Sequence, residues 1–339
     1  MNDIAIDLGT STVQVYVKGK GVIIEEPSVV AVDKTSGKVL KVGREAELML
    51  GRTPGNILAV RPIVGGVISD YDATLKLLQA LIKRASQQSF FKPRVIICVP
   101  SSITEVEERA LCDAAVCAGA KKTYLIEAPV AAAIGAGIDI SKAVGNMVVD
   151  IGGGTSDVAV ISMHNVVTGE SIKIAGDAIN EAIIKYIRRK YNMLIGDRTA
   201  EEVKINIGCA WPADKINYMQ VKGRCLIEGL PKMIEVSSQE LLEAIEEPVT
   251  SIVNAICAVI ERTPPELVGD IAAGGIVMTG GSSQLSGLDK LVEHVTGIRT
   301  FIADNPVKSV AIGAGRSLDS ISHKTPGTIN LARQRQERL

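Results

Sequence analysis

The sequence has almost no excess of either charge: 37 Lys and Arg stand against 38 Asp and Glu, a net charge of −1. A nucleic-acid protein leaves a basic footprint, so this balance argues against that class of partner. No apolar run reaches membrane-spanning length, and the N-terminus has no secretory pattern. Six cysteines, Cys98, Cys112, Cys117, Cys209, Cys225 and Cys257, lie mostly inside apolar segments and never in Cys-x-x-Cys spacing. They read as small core residues of a reducing compartment, neither zinc ligands nor a disulfide framework. The three histidines, His164, His294 and His323, are scattered and read as structural. Both common phosphate fingerprints are missing, G-x-x-x-x-G-K-[ST] and a G-x-G-x-x-G opening a helix after the first strand. There is no low-complexity segment or extended linker. At 339 residues the chain exceeds the size at which one hydrophobic core stops growing, so two or more lobes are expected.

What is present is a near-repeat. Asp7-Leu8-Gly9-Thr10-Ser11 and Asp150-Ile151-Gly152-Gly153-Gly154-Thr155-Ser156 each follow an apolar run that reads as a buried strand. A turn without Cβ atoms can bring several backbone N–H groups close to phosphate oxygens, and the Thr and Ser hydroxyls add donors. Asp7 and Asp150, at the strand ends, can hold a hydrated Mg²⁺ through its waters. One such segment alone reads as a tight turn; the recurrence favours phosphates and metal held between two related halves. A third cluster, Thr279-Gly280-Gly281-Ser282-Ser283, follows Ile276-Val277-Met278 and precedes a helix expected from about Leu285. Its backbone could lie flat against an adenine or ribose, although strand-to-helix connections often contain glycine.

Periodicity supplies a coarse map. Ile4 to Asp7, Val13 to Val17 and Gly21 to Ile24 suggest a β meander, with a further strand at Ser28 to Val32. Asp72 is a candidate cap for a helix carrying Leu75, Leu78 and Ile82 on one face. Arg94 to Val99 reads as a buried strand and Glu105 to Ala118 as a helix. The second half repeats the scheme, with strands at Met147 to Asp150 and Val158 to Ser162, helices from Asp177 and Thr199, and polar material near Lys222 to Glu235. Two similar halves of alternating strands and helices imply an α/β fold of mixed sheets flanked by helices.

These glycine segments, in this order, resemble the actin, sugar kinase and heat-shock chaperone ATPase superfamily. The stretches around Ile126-Glu127-Ala128-Pro129 through Gly137 and Asn305-Pro306 through Gly315 match its two connecting helices. Within the superfamily the chain is most similar to the rod-shape-determining bacterial actins, the MreB family. The stretches Glu26-Pro27-Ser28-Val29-Val30, Gly51-Arg52-Thr53-Pro54-Gly55-Asn56, Val148 through Thr155, and Ile195 through Glu202 carry the resemblance, which runs from about Ile4 to Leu318. It implies an actin-like ATPase fold with ATP or ADP and Mg²⁺ in a central cleft. Subdomains are expected at 1–31 with 63–143 and 307–339, at 32–62, at 144–178 with 244–306, and at 179–243. The resemblance assigns Gly9, Thr10, Ser11, Thr12, Gly152, Gly153, Gly154 and Thr155 to the phosphates. Gly280, Gly281, Ser282, Glu201 and Lys204 go to the adenosine, although Glu201 and Lys204, three apart, also fit a solvated helical ion pair.

Position 128 departs from the family pattern. Relatives read Glu-Glu-Pro where this chain has Glu127-Ala128-Pro129, and the glutamate before the proline orients or activates the attacking water. A methyl group does neither, so hydrolysis is expected to fall by about 10²–10⁴ while nucleotide still binds. Thr155, the other water-positioning residue, is present. Thr12, Val13, Asp157, Asn180 and Ser282 are further departures.

Phe90 and Phe91, two of only three phenylalanines, stand adjacent in the polar segment Gln87-Gln88-Ser89-Phe90-Phe91-Lys92-Pro93. They can wedge into a bilayer interface beside Lys83, Arg84 and Lys92, or pack locally. The resemblance favours the first, on the inner face of the cell membrane. It also implies self-assembly into head-to-tail, paired antiparallel protofilaments, a role in cell shape through cell-wall synthesis, and cell-elongation membrane proteins as partners. A sugar- or acetate-kinase-like phosphotransferase of the same superfamily is the alternative, and a chaperone would need a substrate domain for which no residues remain.

Overall fold

The computed structural model describes residues 3–86, 91–213 and 215–320. Its organising unit begins as a hairpin. In Thr12–Val17, Val13, Val15 and Val17 are fully buried on one face, the period-2 pattern that fixes register against Ile4–Leu8. On the other side of Ile4–Leu8 lies Arg94–Val99, parallel to it and buried from Val95 onward, as a strand covered on both faces must be. The full sheet runs Lys122–Glu127, Arg94–Val99, Ile4–Leu8, Thr12–Val17, Gly21–Pro27.

The second half builds the same object again. Its sheet runs Thr300–Ile302, Ile276–Thr279, Asn146–Ile151, Ser156–Ser162, Asn165–Ile172. Asn146–Ile151 pairs antiparallel with Ser156–Ser162 and parallel with Ile276–Thr279. In both sheets the opening strand is central, and a tight hairpin turn follows an aspartate near its end. The near-repeat in sequence is therefore a repeat of topology.

Each half carries a small antiparallel sheet beside its main one. The first has Val39–Val42, Val30–Asp33 and Ile57–Val60; the second has Met193–Leu194, Tyr218–Cys225 and Pro231–Ser237. The polar stretch Lys222 to Glu235 belongs to that hairpin, whose inward positions Val221, Ile234 and Val236 are buried among charged outward ones.

Two helices join the halves. Ala128–Gly135 springs directly from Lys122–Glu127, with Pro129 in its first turn, where the missing N–H costs nothing. Ser309–Arg316 crosses it so closely that a Cβ on Gly135 would overlap the Ser309 carbonyl and one on Gly313 the Ala131 carbonyl. Around them Ala5 and Ile96 of the first sheet and Val148 and Ala159 of the second share one apolar core, while each half has a larger core of its own.

Local boundaries moved where capping decided them. Asp70, not Asp72, caps Tyr71–Ala85, accepting a hydrogen bond from Ala73 N at 2.9 Å, and the buried face is Leu77, Leu78, Leu81 and Ile82. Glu105–Cys117 starts with a capping box between Thr104 and Glu107. The helix expected from Leu285 begins at Leu288, after a 3₁₀ turn over Gly281–Gln284. Of the cysteines, Cys98, Cys209 and Cys225 are buried, but Cys117 is exposed. No helix among the described residues is long and apolar enough to cross a membrane.

Candidate functional site

The two hairpin turns meet between the halves. A Cβ on Gly153 would overlap the Ser11 hydroxyl and one on Gly154 the Thr10 hydroxyl, so the glycines of one turn make room for the hydroxyls of the other. The first turn is braced from behind: Ser28 Oγ donates to Gly9 O at 2.6 Å and Ser28 N to Ser11 O at 2.9 Å. The second is closed by Gly152 N donating to Thr155 O at 2.9 Å. Two of its carbonyls are committed elsewhere. Gly152 O accepts from Ser282 Oγ at 2.7 Å and Gly176 N at 3.2 Å, and Gly153 O from Asp177 N at 2.7 Å.

The third glycine cluster closes one side. Gly280 has φ +83°, and a Cβ there would overlap the backbone of Ile151; Gly281 faces open space. Lys204 is buried, not solvated: its Nζ donates to Gly176 O at 3.2 Å and to Glu201 Oε2 at 2.8 Å, and Asn180 Nδ2 donates to the same oxygen at 2.6 Å. The Glu201–Lys204 pair exists, and it is built into the wall of the site.

All these segments line one cavity of about 680 Å³. Asp7, Gly9, Thr10, Ser11, Thr12, Ala128, Asp150, Gly152, Gly153, Gly154, Thr155, Glu201, Lys204, Gly280, Gly281 and Ser282, expected from sequence at different depths in the chain, are brought together there. Burial pushes the Asp7 carboxyl up to about 7. Burial does the same to Asp150, also about 7, against the Thr279 hydroxyl that donates to its Oδ1 at 2.7 Å; Asp157 and Asp7 add repulsion. Two carboxyls held above their ordinary range by burial, Asp150 by neighbouring carboxylates as well, make a site that a cation would relieve. The hard oxygen donors suit Mg²⁺, held through water.

Ala128 places its methyl group on the cavity wall. Glu127 does not line this cavity: its carboxylate lies 3.5 Å from the Ser101 hydroxyl and lines a separate cavity of about 240 Å³ with Glu108 and His164. Adjacent residues at a strand-to-helix junction have projected to opposite sides, so Glu127 does not replace the missing side chain.

Sequence reasoning missed three contributors. Gly66 N donates to Thr10 Oγ1 at 3.0 Å, and at φ +76° it also lies close to Thr155 and Pro100; the Gly65-Gly66 pair was a readable turn signal. Arg61 reaches across the cleft to Asp177 at 3.4 Å, and burial pushes the Asp177 carboxyl up against the pull of Arg61 and Lys204. Gln14 also lines the cavity, from inside a strand that reads as wholly structural. Outside the cleft, Phe91 is 70% exposed, while Phe90 lies outside the described residues, as does His323.

A family model described as MreB/Mbl protein matches residues 1–326. The cell shape-determining protein Mbl of Bacillus subtilis (strain 168) is 50% identical over 320 residues, covering 94% of this chain and 96% of the relative. The cell shape-determining protein MreB of Escherichia coli (strain K12) is 49% identical over 326 residues, 94% of each. Among solved structures, MreB5 of Spiroplasma citri bound to ADP matches with a TM-score of 0.90 at 37% identity, over 94% of this chain and 96% of that one. The same protein bound to AMPPNP gives 0.88 at 36%, with the same coverage. The MamK double helical filament matches with a TM-score of 0.80 at 20% identity over 96% of this chain and 100% of the other, a likeness of fold.

Proposed function

The chain belongs to the MreB/Mbl family of actin-like cell shape-determining proteins, and from that premise we propose that it binds ATP or ADP with Mg²⁺ in the cleft and uses the nucleotide chiefly as a conformational ligand. Phosphates rest on the turns at 9–12 and 152–155, whose backbone N–H groups and hydroxyls supply donors. Adenosine lies against Gly280, Gly281 and Ser282, with Glu201 and Lys204 beside them on the same cavity lining. Mg²⁺ supplies charge neutralisation between the phosphates and the carboxylates of Asp7 and Asp150. The observation that carries the reading is the convergence of both turns and both aspartates on one cavity of about 680 Å³.

Hydrolysis is slow in this reading, because Ala128 presents no group that can take a proton from water or orient it; Thr155 alone remains to position that water. The four-part division stated from the sequence belongs to the same proposal, the small sheets at Val30–Val60 and Met193–Ser237 marking the two insertions.

Assembly is into filaments, paired and antiparallel, on the inner face of the cell membrane, where the protein helps organise cell-wall synthesis with cell-elongation membrane proteins. Exposed Phe91, with Phe90 beside it in sequence, supplies the membrane contact; such a contact is weak singly and stable only when many subunits act together. The kinase alternative is not favoured, since the family match spans the chain.

Electron microscopy of the purified protein with ATP and Mg²⁺, with and without lipid vesicles, tests the assembly. Filaments that appear with nucleotide and lie on the lipid are expected; none under either condition contradicts it. A steady-state phosphate-release assay is expected to show little turnover, and ordinary bacterial-actin rates would overturn the role given to Ala128.

A further inference from the structure

Gln14 is the one polar residue in Thr12–Val17 that is fully enclosed, 1% exposed, and it sits opposite Asp7 in the antiparallel register of the first hairpin. Directly opposed residues present their side chains on the same face with Cβ atoms about 5 Å apart, so the amide and the carboxylate share one corner of the cleft. The alternate residues Val13, Val15 and Val17 fill the core of the first half, whereas Gln14 lines the cavity. Its Oε1 is buried and accepts no hydrogen bond from the protein. Buried polar oxygens without a partner are rare and call for a ligand, ion or water that supplies the donor. The position is not forced by packing, because a leucine of similar volume would fill it with no unpaired atom.

The chemistry of the missing partner follows from its neighbours. An acceptor oxygen beside a carboxylate is satisfied by a donor and repelled by another acceptor. Phosphate oxygens are acceptors; the waters of a hydrated divalent cation are donors, polarised by the metal. We infer that Gln14 is a positioning residue for the hydrated divalent cation, its Oε1 accepting a hydrogen bond from a metal-bound water on the Asp7 side of the site. On the other side, Asp150 is steadied by the Thr279 hydroxyl. The two halves thus orient the cation's water shell with different groups, a neutral amide in one and a carboxylate with its hydroxyl brace in the other. This rests on the nucleotide reading above.

The test measures release of a fluorescent ATP analogue at increasing Mg²⁺, and its affinity in excess EDTA, for the full chain and for Gln14→Leu and Gln14→Glu. Outer groups that orient metal-bound ligands are worth about 10- to 100-fold in metal affinity. In Gln14→Leu the Mg²⁺ concentration that half-maximally slows release is expected to rise about tenfold, with affinity in EDTA unchanged. Gln14→Glu keeps the acceptor and adds charge, so it is expected to need no more Mg²⁺ than the unmodified protein; it carries the test if the leucine variant fails to fold. An unchanged Mg²⁺ requirement in Gln14→Leu overturns the inference. So does an equal loss of affinity in EDTA, which would put the amide on a phosphate. If the unmodified protein binds no analogue at all, the nucleotide reading itself fails.

Discussion

The turn of the first half and the turn of the second occupy equivalent places in equivalent sheets, yet they are chemically opposite. Gly9-Thr10-Ser11 has one glycine and two hydroxyls, whereas Gly152-Gly153-Gly154-Thr155 has three glycines before its hydroxyl. The structure shows why both are needed. Two turns of the first kind would collide, and two of the second would leave a gap; the hydroxyls of Thr10 and Ser11 occupy the space that Gly154 and Gly153 leave open. A duplicated fold has become a complementary pair, one half supplying donors and the other room. The aspartates differ in the same way, Asp150 braced by Thr279 and Asp7 facing Gln14.

The largest effect should come from restoring what neither half has. Ala128→Glu is expected to raise the phosphate-release rate by about 10²-fold or more with nucleotide affinity little changed, since general-base help lowers a barrier without altering the two glycine turns. An unchanged rate would mean that the geometry around position 128 no longer accepts a water in line.

The interlock itself can be broken and repaired. Gly153→Ala is expected to weaken nucleotide binding at least tenfold, and the double variant Gly153→Ala/Ser11→Gly to recover part of it, because removing the Ser11 side chain clears the obstruction but also removes its hydroxyl donor. Gly9→Ala should resist such repair, since its Cβ would stand 2.6 Å from the backbone carbonyl of Thr12. Equal rescue of both by side-chain removal would refute the complementary-turn account.

A smaller, pH-dependent effect distinguishes the aspartates from ordinary surface carboxylates. Asp7 and Asp150 titrate near 7 in the fold against an ordinary 3.8. Raised values mean that the folded state binds protons more tightly than the open chain. The associated stability is therefore complete below about pH 4 and lost as pH rises through about 7. Without nucleotide or metal, the melting temperature is expected to be higher at about pH 5 than at about pH 8, and Mg²⁺ with nucleotide to stabilise more at the higher pH. A flat apo profile would show that the carboxyls are less confined than their burial implies.

The smallest effect belongs to the cross-cleft pair. Arg61 and Asp177 are 3.4 Å apart with side chains about a third exposed, so Arg61→Ala should cost less than about 1 kcal/mol in denaturant titration. A larger loss would make the pair a structural clasp between the halves.

Much of this was legible in the sequence because it is written locally. Strand cores such as Arg94–Val99 follow from continuous apolar runs, and each of the three glycine clusters contains a close approach, at Gly9, at Gly153 and Gly154, and at Gly280, that no larger residue permits. What was illegible depends on tertiary direction. Nothing in the spacing of Thr12–Val17 tells which alternate residue meets the cleft, so Gln14 passed as part of a strand. Arg61 and Asp177 meet only across the cleft, and Asp70 rather than Asp72 is the cap because it stands in extended backbone with its carboxylate on Ala73 N. Spacing alone reads Lys204 as half of a solvated pair; its burial and its bond to the Gly176 carbonyl depend on residues distant in sequence.

The most direct test of the central claim is a crystal structure of the full chain grown with AMPPNP and Mg²⁺. An intact triphosphate seated between residues 9–12 and 152–155 is expected, with the cation's waters on Asp7 and Asp150. A vacant cleft, or a nucleotide bound away from both turns, would contradict it.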